Sequence, residues 1–420
     1  MANHYVQESK PQKKTGKILI IILCIVLGLA VIGAGAYFLL NHFGLPSIDL
    51  PKDMVTENAT EAVVTEAPTE APTEAPTDPP YLSYLSTMTD REKLCQLFIV
   101  TPEVLTGVDV ATEAGEMTKE ALNNYPVGGI IYFAQNLEDG VQTTAMISNT
   151  QSYTKTPLFI SVDEEGGEVA RCAEKLGTTV FDPMFTYKDQ GEQTAHDNAQ
   201  TIAKDISQFG FNLDYAPVAD VWTNPDNTVI GDRAYSDSFD QAVTLIPSAV
   251  KGFHDGGVLC TLKHFPGHGD TEQDSHSGLA YVTKTVDELK AGELLPFKAG
   301  IDAGADMVMI GHLVVQELDD KPATLSGKVV PELLRKELGY DGVTVTDGMN
   351  MGAIVDNYGY DEIVSGIFAA EIDMILCPDN LDSYLEAMEK ALSDGTITME
   401  QVDAKVTRIL KLKYDKGLIN

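Results

Sequence analysis

An α/β fold, a (β/α)8 TIM-type barrel, is predicted for the larger part of this chain, and three observations predict it. The roughly 340 residues after position 80 are long for an average domain yet ordinary for such a barrel. Eight short apolar runs recur through them with amphipathic stretches between, the alternation of strand and helix that builds a parallel sheet. Several runs also end in residues that carry chemistry: Asp163 ends the third, Asp220 follows the fourth, Lys263 and His264 end the fifth, His312 follows the sixth and Asp347 ends the seventh. A barrel gathers all strand carboxyl ends on one face, so residues far apart in sequence are expected around one pocket. Each alone reads as readily as a satisfied polar residue or a helix cap; their joint placement favours a site.

The eight runs are Leu97–Val100, Gly129–Phe133, Leu158–Val162, Leu213–Val218, Leu259–Leu262, Met307–Ile310, Val343–Thr346 and Met374–Cys377. The fifth, apolar or small throughout before Lys263, suits a strand buried on both faces. Helical periodicity marks Gln193–Phe209, Phe239–His254, Thr285–Ala303, Val330–Leu338 and a last helix over Val402–Lys413. Arg233, in a long loop after the fourth run, is placed to swing over the same mouth, with Trp222 nearby.

Before the barrel the chain changes character twice. Residues 1–17 form a tail with Lys10, Lys13, Lys14 and Lys17 against the single acid Glu8. Residues 18–40 then run for 23 positions without a charge, long enough to span a bilayer as one helix. Lysines before the span and acids after it place the tail in the cytoplasm and the rest outside the cell. A cleavable signal peptide competes, since Ala34-Gly35-Ala36 resembles a cleavage site, but the apolar run continues to Leu40 and favours an uncleaved anchor. Residues 41–80 are rich in Thr, Glu, Ala and Pro, with Thr-Glu-Ala-Pro repeated from 65 to 76. No core can form from that composition, and a disordered, extended spacer is expected, reaching up to roughly 120 Å at about 3.1 Å per residue. The domain expectation is therefore tail 1–17, membrane anchor 18–40, linker 41–80 and barrel 81–420.

The formal net charge is -34. The tail carries about +3 and the linker about -7, which leaves about -30 on the barrel. Nucleic acid needs a basic footprint and is excluded as a partner. Cys95, Cys260 and Cys377 sit inside apolar runs, so these and Cys172 read as free structural thiols; none has a base beside it as a nucleophile would.

The stretch Leu259–His276, LCTLKHFPGHGDTEQDSH, organises the rest. It reads as a buried strand delivering Lys263 and His264, stopped by Pro266 and Gly267, and followed by a loop. In that loop Asp274 lies two residues from His276, so a carboxylate can hold one imidazole nitrogen and leave the other facing a substrate. His268 reads as a solvated loop histidine. Three histidines and two aspartates in fourteen residues also allow a metal, but the spacing follows no metal-ligand pattern, and no metal or organic cofactor is expected. The cluster of Asp, Arg, Lys and His suits a polyhydroxylated ligand better than a phosphate, which the carboxylates would repel.

KHFPGHGDT followed by DSH resembles glycoside hydrolase family 3, in its bacterial β-N-acetylglucosaminidase (NagZ-type) branch, and the resemblance extends from about Leu82 to Leu418. It implies Asp347, in VTVTDGMNM, as catalytic nucleophile, with Gly348 departing from the Asp or Ala common after it. His276 is implied as general acid/base and Asp274 as its orienting partner. Asp163 in VDEEGG, Arg233 in IGDR, Lys263 and His264 are implied to bind the terminal sugar, while His312, Asp220 and Trp222 are expected as pocket lining. The implied activity is retaining hydrolysis of terminal β-linked N-acetylglucosamine from peptidoglycan fragments or related glycans. A family 3 enzyme of other sugar specificity, a phosphorylase and a noncatalytic glycan-binding surface protein are the alternatives.

Overall fold

The computed structural model describes residues 79–272 and 278–419. The tail, the apolar segment 18–40 and the linker to residue 78 lie outside the described residues, as do Asp274 and His276. Among the described residues no helix is long and apolar enough to cross a membrane.

Eight strands form one parallel sheet: β1 Phe98–Val100, β2 Gly129–Ile131, β3 Phe159–Val162, β4 Leu213–Asp214, β5 Leu259–Phe265, β6 Met307–Ile310, β7 Val343–Thr346 and β8 Ile375–Leu376. Every residue of these strands is buried, as a parallel sheet wrapped by helices requires. Neighbours follow chain order from β1 to β7, and β8 pairs with β1. A parallel bridge between Val345 and Met374 brings β7 to β8, so the sheet is nearly closed. That closure turns eight distant carboxyl ends into one rim.

The strand ends differ from the expectation in two places that matter for the site. β4 stops at Asp214, four residues early, because Pro217 has no N–H to continue the ladder; Val218 returns only as a single bridge to Lys263. β5 instead continues through Lys263 and His264 to Phe265, the last residue before Pro266, with Phe265 registered on Ile310. Lys263 and His264 are thus strand residues on a rigid frame.

Two helices also differ. The stretch 285–303 is two helices, Val286–Ala291 and Leu294–Asp302. The break falls at Gly292, where a Cβ would stand 2.8 Å from the Phe239 ring. Val330–Glu337 winds as a π-helix closed by Leu338 N–H to Leu333 O at 3.1 Å. The first helix, Pro80–Thr87, begins one residue inside the expected linker, with proline at the position that lacks a helical hydrogen bond. Helices Glu192–Ser207 and Phe239–Asp255 pack closely on each other through Gly252, where a Cβ would lie 2.2 Å from His196 O.

The amino ends of the strands carry structural polar clusters. Asp373 accepts from Arg408 at 2.6 Å and pairs with Arg335. Asp306 accepts from Cys260 N–H at 2.9 Å, contacts His254 Nε2 at 2.8 Å and pairs with Lys416 at 2.6 Å. His254, Cys260 and Asp306 bring potential ligand atoms within 4.8 Å. With Asp306 already neutralised by Lys416, the arrangement is a polar tie between the chain's end and the barrel floor. The four cysteines of the barrel are free and buried.

Candidate functional site

At the opposite end, the strand carboxyl ends surround a cavity of about 580 Å³, of a size that suits a small ligand. Asp163, Arg233, Lys263, His264 and Asp347 all line it. A smaller cavity of about 370 Å³ near the amino ends is lined by Tyr84, Gln96, Tyr153 and neighbours and gathers no comparable cluster.

One wall is organised by Glu165, which the sequence reading passed over in favour of Asp163. Its Oε2 accepts from Arg233 Nε at 2.8 Å and its Oε1 from Arg233 Nη2 at 2.8 Å, a two-pronged pair. Lys263 Nζ lies 2.5 Å from the same Oε1 and donates to Asp163 Oδ1 at 2.8 Å. Burial alone would raise the Glu165 carboxyl; the Lys263 and Arg233 charges reverse that and hold it far below the carboxylate range. Burial would likewise lower the Lys263 ammonium, and Asp163 and Glu165 lift it above its ordinary value. Glu165, Lys263 and Arg233 are therefore all charged, and Asp163 is held beside them by its bond to Lys263.

The hairpin that delivers Glu165 follows β3 directly and pairs Glu164–Gly166 with Val169–Ala170. Gly166 and Gly167 take positive φ of 87° and 65°, and a Cβ on Gly167 would lie 2.8 Å from Pro183 Cα. Glu164 turns inward and accepts from Cys172 N–H at 2.7 Å, fixing the return of the hairpin. That return places Arg171 on the cavity wall beside Phe133, which follows β2, with the guanidinium 6.0 Å from the ring centroid. Arg171 Nε is buried with no hydrogen-bond partner among the described residues. Spacing alone offered no signal for it, because only the hairpin brings position 171 back to position 163.

The second wall rests on Asp220. This fully buried carboxylate accepts His264 N–H at 2.9 Å and His264 Nδ1 at 2.7 Å, and its other oxygen accepts His268 N–H at 2.6 Å. Burial would raise Asp220; the His264 imidazole lowers it below its ordinary value. His268 is not a solvated loop residue: it is buried, lines the cavity, and its Nδ1 lies 2.6 Å from Thr271 Oγ1. Its burial, then the neighbouring His264, lower its pKa.

Asp347 follows β7 and is tied back by its N–H to Ile310 O at 2.9 Å, while its Oδ1 accepts Gly348 N–H at 2.8 Å. Burial pushes the carboxyl up, but the imidazoles of His264 and His312 and the Gly348 N–H outweigh it, so the pKa falls below 3.8 and the group is an anion at neutral pH. His312 stands behind this turn. Its Nε2 is 2.9 Å from Gly348 O, and because a carbonyl only accepts, Nε2 carries the hydrogen; Nδ1 meets Thr324 Oγ1 at 2.9 Å.

His312, Asp220 and Trp222, expected as lining, thus stand behind the wall: the first two because strong hydrogen bonds turn them inward, and Trp222 because it packs edge-on against Phe185 with centroids 5.1 Å apart. The cavity combines an anionic carboxylate at a strand tip with fixed charges of both signs. Such walls offer directed hydrogen bonds to an uncharged polyhydroxylated ligand.

Comparison with known proteins matches this geometry to a family. The description "Glycosyl hydrolase family 3 N terminal domain" fits residues 89–412. The chain is similar to beta-hexosaminidase A of Pseudoalteromonas piscicida, 36% identical over 324 residues, covering 70% of this chain and 54% of that protein. It is similar to beta-hexosaminidase LpqI of Mycobacterium tuberculosis, 33% identical over 335 residues and covering 78% and 83%. Among solved structures, a glycoside hydrolase family 3 beta-N-acetylglucosaminidase from Paenibacillus sp. str. FPU-7 superposes with a TM-score of 0.74 at 36% identity, covering 79% of this chain and 63% of that one. The chain spans about half the length of the first of these relatives and most of the second. From a nearly closed parallel barrel, a charged cavity at its carboxyl rim and a family match over almost all of the described residues, the chain belongs to glycosyl hydrolase family 3.

Proposed function

We propose that this chain is an exo-acting β-N-acetylglucosaminidase that cleaves by double displacement with retention. The observation that carries the reading is the anionic Asp347 carboxylate on the wall of the same cavity as the Lys263, Arg233 and Glu165 network. The names borne by the relatives supply the sugar. In this mechanism Asp347 attacks the anomeric carbon and the leaving oxygen takes a proton from His276, held by Asp274. A water then gives its proton to His276 and its oxygen to the anomeric carbon, releasing Asp347. Asp163, Arg233, Lys263 and His264 hold the hydroxyls and acetamido group of the terminal sugar. No cofactor takes part in any step.

In the same reading, residues 18–40 anchor the protein in the membrane with the barrel outside the cell. Terminal N-acetylglucosamine on peptidoglycan fragments or related glycans is then within reach. The test is trapping: a slow 2-deoxy-2-fluoro or 5-fluoro glycoside leaves its sugar on the peptide containing Asp347, and Asp347→Asn abolishes both labelling and turnover. A label on Asp163 or Asp220 overturns the assignment. Aryl glycosides that differ only at the 2-position of the sugar test the specificity.

A further inference from the structure

Beside the candidate site lies a second concave surface to which the mechanism above gives no role. Tyr281 is the one aromatic side chain exposed among the described residues, at 39%. It sits in Ala280–Val282, between two buried neighbours, so the strand's alternation turns its ring outward. This strand pairs in parallel with Leu313–Val315, just beyond the end of β6, which places Tyr281 at the carboxyl rim of the barrel. A single exposed tyrosine needs no explanation. This one lines a cavity of about 540 Å³ whose other walls offer the side chains of Thr223, Asn224, Asp270, Glu272 and Gln316.

The cavity shares its two supporting loops with the candidate site. Thr223 Oγ1 donates to Asp270 Oδ1 at 3.0 Å, and Asn227 Nδ2 donates to His268 O at 2.7 Å, so loops 220–227 and 266–272 are locked together. His268 lines the first cavity and Asp270 the second. Two residues of extended chain span at most about 7 Å, comparable to one pyranose unit. The two linings therefore meet along loop 266–272.

The lining chooses among such units. Among the described residues its charged groups are Asp270 and Glu272, and no cation lines it. The nearby Lys284 is already engaged by Asp270, at 3.3 Å, and by Glu293. An anionic unit is repelled, whereas sugar hydroxyls find carboxylate, amide and hydroxyl partners and the apolar face of the ring finds Tyr281.

We propose that this cavity is the leaving-group subsite and that it takes an uncharged pyranose, such as a further N-acetylglucosamine, in preference to a unit bearing a free carboxylate. The proposal rests on reading the neighbouring site as that of an exo-N-acetylglucosaminidase, and the test separates the two. The full-length protein is assayed on an aryl N-acetylglucosaminide, on β-linked N-acetylglucosamine di- and trisaccharides, and on a disaccharide whose second unit is muramic acid. Aromatic contacts of this kind are worth roughly tenfold in binding. Tyr281→Ala is expected to lower the oligosaccharide-to-aryl ratio of kcat/KM about tenfold, and Tyr281→Phe to keep it. Glu272→Lys is expected to shift preference towards the muramic acid substrate severalfold. Unchanged ratios in both Tyr281→Ala and Glu272→Lys overturn the subsite. If wild-type protein turns over none of these substrates, the neighbouring reading fails instead. Calorimetric titration with the trisaccharide then tests the cavity alone: weaker binding in Tyr281→Ala supports it, and equal binding overturns it.

Discussion

A single carboxylate oxygen, Asp220 Oδ2, accepts from His264 twice, once from the backbone N–H at 2.9 Å and once from the ring Nδ1 at 2.7 Å. The imidazole is therefore locked to its own main chain through Nδ1, and Nε2 has no hydrogen bond among the described residues. The other oxygen takes His268 N–H at 2.6 Å, so one buried side chain sets the start of the β5 loop.

Asp220→Asn tests this arrangement. An amide replaces one acceptor by a donor, which then faces an N–H. An unsatisfied buried group of this kind costs about 1–3 kcal/mol, read as a lower urea midpoint. Turnover at low substrate, kcat/KM, is expected to fall through weaker binding, because His264, which holds the sugar in the proposed reading, loses its orientation while Lys263 and Arg233 keep theirs. The folded Asp220 pKa lies below 3.8. Its contribution to stability is therefore complete above that ordinary value and is lost as pH falls through the lower folded value. The variant lacks that part of the acid transition. An unchanged midpoint and unchanged turnover refute the role.

The pH profile of kcat/KM follows from two groups of opposite requirement. Asp347 must be ionised to attack, and its pKa is held below 3.8, so the acid limb lies under that value and activity is lost as pH falls through it. His276 must be protonated to donate, and an imidazole titrates near 6.5, so activity falls as pH rises through about that point or higher, where Asp274 supports the cation. A flat profile to pH 9 rules out an imidazole donor. A basic limb clearly below 6.5 points to His268, whose pKa burial lowers.

Topology has its own test. Protease applied to intact cells is expected to release an active fragment that begins within residues 41–80, since the lysines of the tail lie on the far side of the apolar segment. Protection until the cells are lysed reverses the assigned orientation.

How far the residues themselves foretold this architecture depends on the range of the interaction involved. β1 and β6 were legible because uninterrupted apolar runs such as FIV and MVMI have one comfortable environment, a sheet covered on both sides. Asp163, Lys263, His264 and Asp347 were legible because strand ends converge in a barrel. Glu165 and Arg171 were not, because their roles come from a hairpin folding back on itself. His268 looked like a solvated loop histidine for the same reason: its burial comes from Asp220, 48 residues away. The division of 285–303 falls at Gly292, whose φ of -137° and ψ of -93° leave the helical region where the Phe239 ring leaves no room for a Cβ, and helical periodicity does not register that.

His276 bears the most distinctive prediction, because most glycosidases use a carboxylic acid where this reading places an imidazole. General acid assistance matters in proportion to the basicity of the departing oxygen. An N-acetylglucosamine disaccharide expels an alkoxide that needs a proton, whereas a nitrophenolate departs unaided. Positioned acid and base groups contribute about 10² to 10⁴ in rate, so His276→Ala is expected to lose about that much on the disaccharide and far less on the nitrophenyl glycoside. The second half-reaction supplies an independent check. A neutral imidazole does not repel an anion as a carboxylate does, so adding phosphate to the wild-type protein tests whether it intercepts the glycosyl-enzyme as a sugar 1-phosphate; hydrolysis is expected to prevail. Equal losses on the two leaving groups show that His276 is structural. The search for the donor then moves to His268, which lies on the wall of the same cavity as Asp347.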